Sequence, residues 1–135
     1  LTALWNKDDE TLTKELNKIL ITTISFHDYK ENFYHAFLAG IFTGLYYKVK
    51  SNAENGEGRS DIVIKDRSNG RLVIFEVKHS TKRTEMEKDC DKALAQITDR
   101  QYAAEYEDEF DEIICYGIAF FKKRCLVKLL TYPSE

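Results

Sequence analysis

A chain of 135 residues is long enough for one domain that buries roughly two-thirds of its unfolded surface, and 43% hydrophobic with 32% charged residues is ordinary for a globular fold. The net charge of -3 weighs against tight nonspecific binding of nucleic acid over the whole surface. The lack of any run of about 18 apolar residues and of a charged-then-apolar leader speaks against a membrane span and a signal peptide.

In chain order, Asp9 to Thr23 reads as a helix with Leu12, Leu16, Ile19, Leu20 and Thr23 on one face and acidic residues in its first turn. A second helix is expected over Tyr29 to Leu45, capped by Ser25 or Asp28, with Phe33, Ala36, Phe37, Gly40, Ile41 and Gly44 as its apolar stripe. Glu31 and His35, four apart, share one side of it. Tyr46 to Ser51 alternates as a strand, and Asn52 to Gly58 is a polar, glycine-bearing loop. Two β-branched runs follow, Ile62 to Lys65 and Arg71 to Lys78, joined by a turn that contains Asn69-Gly70.

Helical periodicity returns from Glu85 to about Glu107, where Met86, Cys90, Ala93, Leu94, Ile97 and Ala104 make the buried stripe and Lys92, Gln96 and Arg100 line up beside it. Glu112 to Phe121 is an interior strand, Lys122-Lys123-Arg124 a turn, and Cys125 to Thr131 a last strand interrupted only by Lys128. The order α-α-β-β-β-α-β-β predicts an α/β (α+β) fold, a mixed central sheet of about five strands flanked by helices. Residues 1–135 make a single domain. The start at Leu1 points to a piece of something longer, with 1–27 as the remnant of a connection to a preceding region.

Charge is unevenly spread. Glu105 to Glu112 and Asp8 to Glu10 are acidic blocks, which leaves Lys78 to Lys92 and Lys122-Lys123-Arg124 locally basic. Cys90, Cys115 and Cys125 show no paired spacing and read as small buried hydrophobes of a reducing, cytoplasmic protein.

The hairpin carries charge where strand should be buried, and burying charge without a partner costs several kcal/mol. A four-residue loop, Arg67 to Gly70, sets Asp61 opposite Glu76; a two-residue Asn69-Gly70 turn sets Asp61 opposite Lys78. Because side chains alternate with period two, Asp61, Glu76 and Lys78 share one face in either register. Two adjacent carboxylates repel unless a cation lies between them, and such hard oxygen donors suit magnesium, manganese or calcium.

Asp61 followed fifteen residues later by Glu76-Val77-Lys78 resembles the PD-(D/E)XK nuclease-like superfamily. Glu31 to Gly40, Ser51 to Asp61, Ala93 to Ile97 and Tyr102-Ala103 extend the likeness over most of the chain, to the nuclease-like domain at the C-terminus of AAA-ATPase-like proteins of prokaryotes. The resemblance implies a restriction-endonuclease-like fold and metal-dependent cleavage of nucleic acid, DNA more readily than RNA. It also implies Mg²⁺, or Mn²⁺, on Asp61, Glu76 and the backbone at Val77, with Lys78 beside the attacking water.

Glu31 and Gln96 match further catalytic positions, and His35, Arg59, Arg100 and Tyr102 are candidates for substrate contact. Members of the superfamily often carry Tyr four residues after this Gln. Here that place is Arg100, and Tyr102, six residues on, turns away from Gln96 if the helix continues. An ATPase-like region in the same chain and a homodimer are the partners that the likeness allows. A catalytically silent interaction module on the same fold is the rival expectation.

Overall fold

The computed structural model describes residues 1–23, 31–52 and 61–131, with the backbone alone at Thr23, Glu31 and Asn32. Among them lie three helices, α1 (Asp9–Thr23), α2 (Glu31–Gly44) and α3 (Met86–Asp99), and five strands. The strands are β1 (Lys48–Ser51), β2 (Ile62–Asp66), β3 (Arg71–His79), β4 (Glu112–Phe121) and β5 (Arg124–Leu129). They form one sheet in sequence order, antiparallel except for β3 and β4, which run parallel. Parallel neighbours need a crossover, and α3 with the 3-10 turn Tyr102–Tyr106 supplies it. The mixed five-stranded α+β architecture is as expected.

Alternation along the strands divides the core. Val73, Phe75 and Val77 of β3 join Ile114, Tyr116 and Ile118 of β4 on the face covered by α1 and α2. Leu72 and Ile74 turn the other way, toward Ile97 of α3 and toward Tyr102, Tyr106 and Phe110. Glu76 and Lys78 follow the even-numbered side and therefore point to α3.

The β2–β3 loop is the four-residue one. Asp66 pairs with Arg71 and Ile62 with Phe75, and the same register continued by one residue sets Asp61 beside Glu76. The two-residue alternative fails because Arg67–Asn69 winds as a 3-10 turn and only Gly70 takes the left-handed conformation, φ 63°, whereas a type I′ turn needs both central residues there. The Gly70 carbonyl accepts from the Asp111 and Glu112 N–H groups at 2.8 and 3.1 Å, which ties the turn to the start of β4.

α1 begins where Asp8 accepts from the Thr11 N–H, and it buries Leu12, Leu16 and Leu20 as expected. It also closes the open edge of β5. Asp9 accepts from the Leu129 N–H at 2.9 Å, Thr13 from Val127 at 3.0 Å and Asn17 from Cys125 at 2.8 Å. Four helical residues rise about 6 Å and two strand residues about 6.7 Å, so the two periods match over this length and the edge is shielded from further pairing.

Four expected features differ. β5 spans Arg124–Leu129 instead of Cys125 to Thr131, because Arg124 already pairs with Phe121. α2 buries Tyr34, His35, Leu38 and Phe42, while Ala36 and Gly40 are exposed, so its core face is rotated about one residue from the expected stripe. β1 starts at Lys48 because Tyr46 has φ 68°; Tyr47 instead lies tilted against Trp5 and its hydroxyl accepts from the indole N–H at 3.0 Å. α3 ends at Asp99, eight residues before the expected end at Glu107, because Gln101 takes φ 52°. Beyond it Tyr102 and Tyr106 are buried and Ala104 is exposed.

Candidate active site

β3 delivers Glu76 and Lys78 to the α3 face near its C-terminal end, and the residue before β2 delivers Asp61. Asp61 Oδ2 accepts a 2.8 Å hydrogen bond from the Val77 N–H, which holds that carboxylate against β3. Glu76 is 2% exposed, and its Oε1 has no hydrogen-bond partner among the described residues. Burial, and after it the neighbouring Asp61 carboxylate, push the Glu76 carboxyl up to about 8, against a smaller pull downward from Lys78. A carboxylate that is buried, beside another and partly unsatisfied has the electrostatics of a cation ligand.

Lys78 Nζ stands 4.0 Å from Glu76 Oε2 but donates to Gln96 Oε1 at 2.7 Å. The Gln96 amide in turn donates to the Tyr102 hydroxyl at 3.0 Å. The six-residue spacing that separates Gln96 from Tyr102 on a helical wheel is irrelevant once α3 stops at Asp99, since the left-handed Gln101 turns the chain back under the helix. Tyr102 is 3% exposed, and burial raises its phenol, with Glu76 and Asp61 adding to the shift and the Gln96 hydrogen bond opposing it. Its contact is thus with Gln96. Arg100 follows the end of α3 and is exposed.

α3 comes this close because of Gly117. It is the β4 partner of Glu76, and a Cβ there would lie 2.8 Å from the Cys90 carbonyl oxygen and 3.0 Å from Ala93 Cβ. The sequence contains the signal, a lone glycine inside the run Glu112 to Phe121, although it was not among the expected site residues. Ser80, just after β3, adds a second tether by donating to Asp89 of α3 at 2.6 Å.

Of the remaining expected residues, Arg59 lies outside the described residues, as does the side chain of Glu31, whose backbone opens α2. His35 is buried on α2, which packs on the opposite face of the sheet. The first turns of α2 nevertheless reach the same end of the sheet as Lys78, since Tyr34 stacks on Phe120 at 4.4 Å and lies 5.3 Å from the His79 ring. Among the described residues no group of three or more His, Cys, Asp or Glu side chains gathers as a metal cage. Asp61 and Glu76 offer the oxygen donors that hard divalent cations take. Among the same residues no helix is long and apolar enough to cross a membrane.

A family model described as the PD-(D/E)XK nuclease superfamily matches residues 29–129, three-quarters of the chain. No curated protein and no solved structure gives a significant match.

Proposed function

Since the chain belongs to the PD-(D/E)XK nuclease superfamily, we propose that it hydrolyses phosphodiester bonds of nucleic acid, DNA in preference to RNA, with Mg²⁺ or Mn²⁺ held by Asp61, Glu76 and the Val77 carbonyl. The observation that carries this reading is the buried Glu76 carboxylate beside Asp61, with one oxygen lacking a partner among the described residues and an ammonium within reach. The superfamily usually works with divalent metals, and such an ion supplies Lewis-acid stabilisation of the phosphate and a more acidic water.

The chain's own side chains then have separate tasks. Lys78 orients the attacking water for in-line displacement at phosphorus and offsets the charge that builds on the non-bridging oxygens. Gln96 holds the ammonium toward that position; Lys78, which can only donate, selects the amide oxygen, and the Tyr102 hydroxyl accepts from the amide nitrogen. Glu31 takes the further acidic role that the resemblance gives to its position. Arg59 and Arg100 contact flanking phosphates; His35, buried on the other face of the sheet, is left without a substrate contact. The preference for DNA, a cytoplasmic setting, a homodimer and an ATPase-like region in the same chain rest on the resemblance.

The test is calorimetric titration of Mg²⁺ and Mn²⁺ into the wild type, Asp61→Ala and Lys78→Ala, with cleavage assays on single-stranded DNA, duplex DNA and RNA. Metal binding lost in Asp61→Ala but kept in Lys78→Ala, with cleavage lost in both and circular dichroism unchanged, is the expected pattern. A wild type that binds neither metal and cleaves nothing overturns it in favour of a silent nuclease-fold module.

A further inference from the structure

The helix ladder that covers β5 runs out at the end of α1. After Asp9, Thr13 and Asn17 the next place in the series is Ile21, which is 64% exposed and answers the level of Lys123. A groove of about 900 Å³ opens there, between the last turn of α1, the start of α3 and the β4–β5 hairpin, within the size range of ligand sites. Its described lining combines an apolar floor, including Ile21, Phe121 and Leu126, with four cations, Arg83, Lys122, Lys123 and Arg124. Against these stands one carboxylate, Glu87, which is paired with Lys128 at 3.3 Å. The Lys122 ammonium lies 5.3 Å from the Phe121 ring centroid, so charge and aromatic surface are side by side.

The groove also lies at the right end of the sheet. Lys78 is level with Ala119, and Ala119 with Leu126, so the groove floor is two strands, about 10 Å, across from Lys78, with the start of α3 packed over Ala119 between them, and a chain joining the two passes round that end of the helix. An anion alone has no use for the apolar floor, and an apolar peptide has none for four cations. A nucleotide chain presents phosphates and flat bases together, and single strands are held by cationic grooves with aromatic platforms.

We propose that this groove is a subsite for a single-stranded stretch of nucleic acid that continues from the cleavage site, its phosphates on Arg83, Lys122, Lys123 and Arg124 and one base against Phe121. Its role as a substrate subsite rests on the nuclease reading of the Asp61 and Glu76 site; its affinity for a single strand does not.

Fluorescence anisotropy with a ten-nucleotide oligothymidylate in EDTA, where metal-dependent cleavage is silent, separates the two. In Arg83→Glu/Arg124→Glu the affinity falls roughly tenfold and the dependence of log K on log salt flattens by about 1.4, or about 0.7 per phosphate contact on a single strand. Lys7→Glu/Lys14→Glu makes the same change in charge at exposed residues away from the groove and keeps the wild-type affinity. A 5-iodouracil oligonucleotide cross-links to the wild type under ultraviolet light but not to Phe121→Leu. No binding by the wild type, equal losses in the two double variants, or wild-type affinity in the groove variant each overturns the subsite. Groove-dependent binding without cleavage in Mg²⁺ overturns the nuclease reading and leaves the groove standing.

Discussion

Lys78 Nζ and Gln96 Oε1 are 2.7 Å apart, closer than Lys78 is to the carboxylate of Glu76 at 4.0 Å. A neutral amide thus holds the ammonium while its charge stays available to a substrate, instead of being spent on a direct ion pair. In Gln96→Ala the lysine is free to close on Glu76, and cleavage falls by about 10²-fold, the lower range for a displaced acid–base group, with Tm nearly unchanged. Tyr102→Phe removes only the acceptor of the Gln96 N–H, a loss of about 0.5–1.5 kcal/mol, so single-turnover rates drop about two- to tenfold. Equal rates in Gln96→Ala and the wild type would show that the lysine is oriented by something else.

Glu76 links stability to pH. Its folded value of about 8 lies above the ordinary 4.5, so between these limits the folded state holds a proton that the unfolded chain has released. The contribution of Glu76 is therefore fully present below about pH 4.5 and declines as pH rises toward 8, by up to about 1.4 kcal/mol per unit. Thermal melts in chelator from pH 5 to 8 should show that decline, and Glu76→Gln should flatten it. Added Mg²⁺ should restore the wild type at pH 8, where the carboxylate is free to bind, and leave the variant unmoved. Parallel pH curves in chelator for the two proteins would refute the assignment.

The parts of this architecture that were legible in the sequence are those whose signal is local. α1 has the expected bounds because it carries one clear helical period, and β4 because its β-rich run is unbroken between the acidic block and Lys122; the charges at Asp61, Glu76 and Lys78 marked the candidate site because they interrupt strand that should be apolar. The face of α2 was not legible: Phe33, Phe37 and Ile41 compete with Tyr34, Leu38 and Phe42, and only the packing against β1 to β3 decides. The hairpin register depended on a distant partner, the Asp111 and Glu112 N–H groups on Gly70. Tyr102 was misplaced by a helical wheel extended past Asp99, since nothing in the letters Asp99-Arg100-Gln101 announces a left-handed residue.

Gly117 couples the packing of α3 to the chemistry. In Gly117→Val the new side chain meets the Cys90 carbonyl and Ala93, both parts of the helix that move only with its backbone. Overpacking of this kind costs about 1–3 kcal/mol. The helix lifts off β4, Gln96 withdraws from Lys78, and cleavage should fall further than the loss of folded protein explains. Gly117→Ala is the milder test, and full activity in it would mean that α3 has room to spare.

The polar ladder along α1 makes a prediction of the opposite kind, a stability effect without a catalytic one. Thr13 Oγ1 accepts from the Val127 N–H at 3.0 Å and donates to the Asp9 carbonyl at 2.8 Å. Valine has the same shape and cannot accept, so Thr13→Val leaves one strand-edge N–H unsatisfied in a half-buried place, at a cost of about 1–2 kcal/mol. For a domain of this size that lowers Tm by several degrees, while Mg²⁺ affinity and single-turnover cleavage remain those of the wild type because the Asp61 and Glu76 site is on the other face of the sheet. An unchanged Tm would mean that α1 shields β5 by packing alone, and altered cleavage that the edge strand and the site are coupled through β4.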